Sequence, residues 1–256
     1  MKKILYTGAG SGIARDVIKN IKDKYFIYVG VHTDKQLILQ REKYKNEKNI
    51  KVIKLDLLSD KDLEVIQKLD IDILISNAAI GHGGSIIEIS LDKIREVYEV
   101  NIFRNIKLIQ IVLENMIKKD SGKIIIMSSL SGLFPPRFMG AYTSTKASLI
   151  NISKVLRSEL KLLGKNISVS LIEPGMYKTG FNEIMLYEKY EINDTLFKDE
   201  LDFISKKENI FWSLFQYRNK KSIVKQIVKS LDGDKFIYSA PKWQRFIVKI
   251  YSIIND

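Results

Sequence analysis

Seven short β-forming runs recur along the chain: KKILYTG (2–8), KYFIYVGV (24–31), NIKVIKLDL (49–57), DILISNA (72–78), GKIIIMSS (122–129), NISVSLIEP (166–174) and KFIYSA (235–240). Longer amphipathic stretches separate them, among them 59–69, 90–118, 140–163 and 219–230. Strands joined through helices run parallel, and a parallel sheet must be covered on both faces, so this alternation selects an α/β fold. Ser59 and Ser90 stand where helix N-caps are needed, and Asp62 is placed three residues after Ser59 as a capping-box-like partner. No repeat, Pro-rich linker or low-complexity segment divides the chain, so residues 1–256 read as one domain.

The first run ends in Thr7-Gly8-Ala9-Gly10-Ser11-Gly12-Ile13-Ala14 and passes straight into a helical pattern. Glycines in such a turn let the backbone bend sharply and approach a pyrophosphate, and the helix N-terminus adds N–H donors and a dipole that favours an anion. Gly8, Gly10, Ser11, Gly12 and Ile13 are therefore the candidate phosphate cradle; a plain tight β–α turn is the alternative. Ala14 stands where a third glycine is usual and still permits close helix–strand packing. With the turn placed after strand one, the expected architecture is a Rossmann-type, doubly wound parallel sheet of about seven strands with helices on both faces.

Composition removes several chemistries. The absence of cysteine excludes disulfide scaffolds, Cys-ligated zinc, iron–sulfur clusters and thiol nucleophiles. His32 and His82 lie in no metal-spaced cluster, and no metal site is expected. The apolar run at the start stops at Gly8, too soon for a signal-peptide core or a membrane span, which points to a cytoplasmic protein. A formal net charge of +12 would suit nucleic acid, anionic lipid or an acidic carrier protein. Lysine and isoleucine are abundant throughout, however, so a nucleic-acid partner is not expected. The charge is uneven: residues 181–216 hold four Lys and eight Asp or Glu, whereas 217–249 hold nine Lys or Arg against two Asp.

Tyr-x-x-x-Lys occurs at Tyr44/Lys48, Tyr142/Lys146, Tyr217/Lys221 and Tyr238/Lys242, so the spacing alone selects nothing. Context selects the second pair. A long helical stretch puts Tyr142 and Lys146 one turn apart on one face, and the preceding strand delivers Ser129 thirteen residues earlier. Pro241 precludes a regular turn in the fourth pair, and neither of the others follows a serine-bearing strand.

With these residues in order, the chain resembles the short-chain dehydrogenase/reductase family in its compact single-domain branch. The matching motifs are TGAGSGIA at 7–14, LDL at 55–57, NAA at 77–79, Asn101 in EVNIF, Ser129 in MSSLSG, YTSTK at 142–146 and EPGMYKT at 173–179. The resemblance covers about residues 3–180 and implies a homodimer or homotetramer using NAD or NADP. It implies Tyr142 as general acid or base, Lys146 as the cation that stabilises its phenolate and binds the nicotinamide ribose, Ser129 as a donor to the substrate oxygen, and Asn101 as holder of a water that relays protons to Lys146. A phenol near pKa ~10 needs such a cation at neutral pH. Asp56 and Leu57 would border the adenine, and Asn77 and Ala78 the adenosine ribose. Thr179, after Pro174-Gly175, would reach the nicotinamide carboxamide.

The cofactor depends on the end of the second strand, where an acid selects NAD and cationic or hydroxyl donors suit the 2′-phosphate of NADP. The segment reads Gly30-Val31-His32-Thr33-Asp34-Lys35. Aligned by Leu37, Val31 takes the acidic position, which favours NADP with His32 and Thr33 as donors; Asp34 is the alternative acid, and NAD stays open.

Residues 181–216 are long for a connection and rich in Phe181, Met185, Leu186, Tyr187, Phe197, Phe203, Phe211, Trp212 and Phe215. So apolar a segment must bury against the body or a lipophilic substrate. The resemblance implies that it closes over the substrate, which favours a bulky hydrophobic alcohol or ketone, with Pro135, Arg137, Phe138, Met139, Met176 and Tyr177 completing the pocket. Arg104 departs from the small residue expected there. The segment 241–254 would put Trp243, Phe246, Ile247, Ile250, Tyr251 and Ile254 on one helical stripe and Lys242, Arg245 and Lys249 opposite, either packing on the body or a second subunit or lying on an anionic membrane. Two other functions are weighed against the reductase of bulky substrates: a 3-oxoacyl-carrier reductase, and a dinucleotide-sensing regulator without chemistry, which would not need Asn101, Ser129, Tyr142 and Lys146 together.

Overall fold

The computed structural model describes residues 1–10, 12–181, 185, 188, 195–200, 203–206 and 216–255. All seven runs form strands: β1 (Lys3–Tyr6), β2 (Phe26–Val31), β3 (Ile50–Lys54), β4 (Ile73–Ser76), β5 (Gly122–Met127), β6 (Ile167–Pro174) and β7 (Ile237–Ala240). They make one parallel sheet in the order β3-β2-β1-β4-β5-β6-β7. Around it lie α1 (Gly12–Ile21), α2 (Asp34–Lys43), α3 (Asp60–Gln67), α4 (Leu91–Tyr98), α5 (Asn105–Lys118), α6 (Gly140–Leu162), α7 (Lys221–Asp232) and α8 (Lys242–Asn255).

Successive side chains of a strand point to opposite faces, and β1 shows how this feeds two cores. Ile4 and Tyr6 pack with Val17, Ile18, Ile223 and Ile227 beneath α1 and α7. Leu5 packs with Leu63, Leu108, Val112 and Leu149 beneath α3, α5 and α6. Each such apolar side chain, once buried, contributes about 1.5–3 kcal/mol. No helix among the described residues is long and apolar enough to cross a membrane.

Three local expectations change. Ser59 and Ser90 cap α3 and α4, accepting the Asp62 and Lys93 N–H groups at 3.2 and 3.4 Å. Asp62, however, takes the Asp56 N–H at 2.8 Å rather than that of Ser59, because the chain beyond β3 leaves that donor without a strand partner. The stretch 90–118 is two helices joined by a wide π-type turn, Glu99–Arg104, which carries Asn101 inward. α8 forms after Pro241, but it rests on the body through polar residues rather than through its apolar stripe.

The strand order reverses at β1, between β2 and β4, and this opens a crevice beyond the carboxyl ends of the strands. The loops after β1, β4, β5 and β6 meet there.

Candidate functional site

The crevice is a cavity of about 540 Å³. At one end lie Gly8, Gly10, Gly12 and Ile13, the expected phosphate cradle; Ser11 lies outside the described residues. Gly8 and Gly12 have φ of +61° and +64°, a region that side chains with a Cβ avoid. The loop is lashed to its neighbour by Thr7, whose Oγ1 accepts the Asn77 and Ala78 N–H groups, both at 2.9 Å. Asn77 returns the contact, donating from Nδ2 to the carbonyls of Thr7 and Gly8 at 2.9 and 3.2 Å. Asn77 and Ala78 line the cavity, as do Asp56 and Leu57.

Two residues that sequence reasoning passed over hold the other side of this loop. Gln40 donates to the Gly10 carbonyl at 3.1 Å, and Gln36 accepts the His32 N–H at 3.1 Å. No sequence signal marked them, because α2 exposes Ile38 and Leu39 and buries Gln40, against the usual apolar pattern.

At the end of β2, Val31 is fully buried and its side chain belongs to the core, so the residue that lines the cavity is His32. The His32 Nε2 lies 3.7 Å from the Asp56 carboxylate. Thr33 is not among the lining residues; its Oγ1 caps α2 by accepting the Gln36 N–H at 3.2 Å. Asp34 also lies off the cavity, pairing with Lys54 at 3.3 Å. The end of β2 therefore presents no carboxylate to the cleft.

At the opposite end Ser129, Tyr142, Lys146, Pro174, Gly175 and Thr179 line the cavity. Tyr142 and Lys146 are buried on α6, with the Lys146 ammonium 5.4 Å from the centre of the Tyr142 ring and donating to the Met127 carbonyl at 3.0 Å. Burial raises the Tyr142 phenol well above its ordinary value, and a hydrogen bond with Ser129 opposes the rise. Burial also pushes the Lys146 ammonium down, to about 8. The Ser129 hydroxyl is set by Ser131, whose N–H and hydroxyl both donate to it, at 3.1 and 2.8 Å. Its turn sits directly on α6: a Cβ on Gly132 would come within 2.8 Å of the Lys146 backbone, and Ser128 donates to the Lys146 carbonyl at 2.8 Å.

Asn101 is fully buried and is not among the lining residues. Its two amide hydrogens go to the Ile80 carbonyl at 2.8 Å and Thr145 Oγ1 at 3.1 Å, and its Oδ1 accepts the Ile80 N–H at 2.9 Å. The side chain thus fixes the loop after β4 against α6. Arg104, from the same π-type turn, reaches the loop after β3, donating to the Leu57 carbonyl at 2.5 Å and to Asp60 at 2.9 Å. This accounts for its departure from a small residue.

Phe181 and Met185 cover the Tyr142 end. The Phe181 and Tyr142 rings lie 5.4 Å apart, and Met185 packs with Tyr142 and Met139. Glu188 accepts from the Gly83 N–H at 3.1 Å and meets His82 Nδ1 at 3.0 Å, while His82 Nε2 meets Glu96 at 3.0 Å. Phe197 packs on Phe138 at 5.2 Å. Of the expected pocket residues, Tyr177 lines the cavity and Pro135, Arg137, Phe138, Met139 and Met176 do not. Leu186, Tyr187, Phe211, Trp212 and Phe215 lie outside the described residues. The glycine-bent cradle at the start of α1, the acid-free end of β2 and the buried ammonium at the far end form a donor set that fits a nicotinamide dinucleotide.

The family model for short chain dehydrogenase matches residues 2–187. The NADPH-dependent 3-dehydrocapnine reductase of Ornithobacterium rhinotracheale is 29% identical over 190 residues, 70% of this chain and 66% of that protein, just under two thirds of its length. A 3-oxoacyl-[acyl-carrier-protein] reductase of Buchnera aphidicola subsp. Acyrthosiphon pisum is 29% identical over 200 residues, 73% of this chain and 79% of that one. Among solved structures, a short chain dehydrogenase/reductase from Burkholderia phymatum in complex with NAD has the same fold, with a TM-score of 0.82 at 16% identity, covering 97% of this chain and 92% of that one.

Proposed function

The chain belongs to the short chain dehydrogenase/reductase family, an oxidoreductase family, and on that premise we propose that it interconverts a bulky hydrophobic alcohol and its ketone or aldehyde with NADP. The observation that carries this reading is the buried Tyr142–Lys146 pair, one helical turn apart, facing Ser129 at the far end of a glycine-cradled cleft. The dinucleotide, when bound, supplies or accepts the hydride. Gly8, Gly10, Gly12 and Ile13 bind its pyrophosphate through the α1 N-terminus, with Asp56, Leu57, Asn77 and Ala78 around the adenosine and Pro174, Gly175 and Thr179 at the nicotinamide.

Tyr142 gives its proton to the substrate oxygen in reduction, and the burial that raises its phenol keeps that proton in place at neutral pH. Ser129 donates to the same oxygen, held in position by Ser131. Lys146 binds the nicotinamide ribose and returns a proton to Tyr142. Phe181 and Met185 exclude water from the Tyr142 end and give it an apolar wall, which supports a lipophilic substrate. A β2 end whose own cavity-lining residue is His32, with Asp34 turned away to Lys54, supports NADP over NAD, and the NADPH dependence of the Ornithobacterium relative agrees. A homodimer or homotetramer belongs to the same reading.

A 3-oxoacyl-carrier substrate is the second reading, favoured by the net charge of +12 and by the Buchnera relative. A panel of ketones, alcohols and 3-oxoacyl-carrier thioesters, each with NADPH and NADH or their oxidised forms, tests all of this through the absorbance of the reduced nicotinamide. Turnover of bulky apolar ketones, faster with NADPH, is expected. Equal or better use of NADH would reverse the cofactor assignment, and a requirement for the carrier thioester would select the second reading.

A further inference from the structure

α8 sits on the body with its polar side inward. Gln244 is 5% exposed, and its Oε1 accepts the Met176 N–H at 3.1 Å. Arg245 pairs at 2.5 Å with Glu173, which is 1% exposed. The side chains on the outward stripe are apolar: Phe246, Ile247 and Ile250 are 65%, 53% and 41% exposed, and Trp243, whose indole donates to the Tyr217 hydroxyl, continues the stripe. Rolling the helix to bury this stripe would strand Glu173 as an uncompensated buried carboxylate, so the orientation is held by the fold.

Exposed cations lie on α8 and on the segments it touches. Lys242 is in the first turn of α8, and Lys178 and Arg218 belong to the two segments bridged at Tyr177 and Tyr217, where the Trp243 indole docks; none of the three forms an ion pair among the described residues. We propose that α8 is a peripheral docking helix for an anionic lipid surface. Phe246, Ile247 and Ile250 enter the boundary between headgroups and acyl chains, and Lys178, Arg218 and Lys242 meet the lipid phosphates.

Charge argues for this occupant over a second copy of the chain. Two copies joined through the stripe would set these cations against their own kind in a chain of net charge +12. An anionic surface satisfies both the apolar side chains and the unpaired cations. The proposal stands apart from the catalytic reading, since it needs neither hydride transfer nor a particular substrate.

Flotation of the full chain with phosphatidylcholine vesicles, with and without phosphatidylserine, tests it, together with light scattering in the absence of lipid. The chain is expected to float with phosphatidylserine vesicles at low salt, to be released at high salt, and to stay free of phosphatidylcholine alone. Ile247→Asp should abolish flotation and Arg218→Glu with Lys242→Glu should weaken it about tenfold or more, with circular dichroism confirming that the variants fold. The wild-type arms decide the matter even if a variant misfolds. Absence of flotation at low salt, or equal binding to phosphatidylcholine alone, would overturn the proposal. A dimer that Ile247→Asp dissociates would overturn it in favour of a second copy.

Discussion

Lys146 carries the sharpest pH dependence at the scale of single residues. Burial lowers its folded-state pKa to about 8, below the ordinary ammonium value of ~10.4 that the unfolded chain keeps. Between these values the unfolded chain binds more protons than the native one, so this group makes stability rise with pH across that window. On the proposed reading binding moves the other way, because the charged ammonium is the form that would hold the nicotinamide ribose. Dinucleotide affinity, followed by calorimetry from about pH 6.5 to about 9.5, should fall as pH rises through about 8, and Lys146→Met should remove that dependence. A flat wild-type profile would remove Lys146 from the binding site. That Tyr142, Lys146 and Ser129 meet at one end of the cavity could be read from the sequence, because one helical turn and the strand before it fix their spacing. The Asn101 side chain could not be read that way, since its partners Ile80 and Thr145 come from elements that only folding brings together.

The elements were legible wherever apolar periodicity marks them, which is why all seven strands and the helices 59–69, 140–163 and 219–230 could be drawn from the chain. α2 carries no such mark. Of its apolar residues only Leu37 packs against the core, Gln36 and Gln40 turn inward to the His32 N–H and the Gly10 carbonyl, and Ile38 and Leu39 are left outside. The π-type turn between α4 and α5 was equally silent, since a widened turn keeps the surrounding helical period. Arg104 gives that turn a measurable consequence. By holding the Leu57 carbonyl and Asp60, it fixes the loop expected to border the adenine. Arg104→Ala should therefore weaken adenosine 2′,5′-bisphosphate by about tenfold, the scale of one lost charged hydrogen bond, while nicotinamide mononucleotide binds as before. Equal losses for both ligands would mean general loosening of the fold and would contradict a local role.

In the whole molecule, the reversal of strand order at β1 brings together loops that lie far apart in the chain: a cradle near residue 10, a serine turn near 130 and a proline–glycine turn near 175. The sheet explains why the motifs must occur in that order, because each follows a strand whose carboxyl end faces the same crevice. What covers the crevice was less legible. The apolar wealth of 181–216 announced burial, but Met185 against Tyr142 and Glu188 against His82 depend on how the segment folds back. On the proposed reading this assembly moves a proton through Tyr142 while other groups hold the dinucleotide. Turnover and dinucleotide affinity of Tyr142→Phe, measured on the same preparation with a substrate found in the ketone panel, test it most directly. Turnover should fall about 10²–10⁴-fold, the range contributed by a positioned general acid, with affinity for the dinucleotide nearly unchanged. Turnover close to that of the wild type would contradict it.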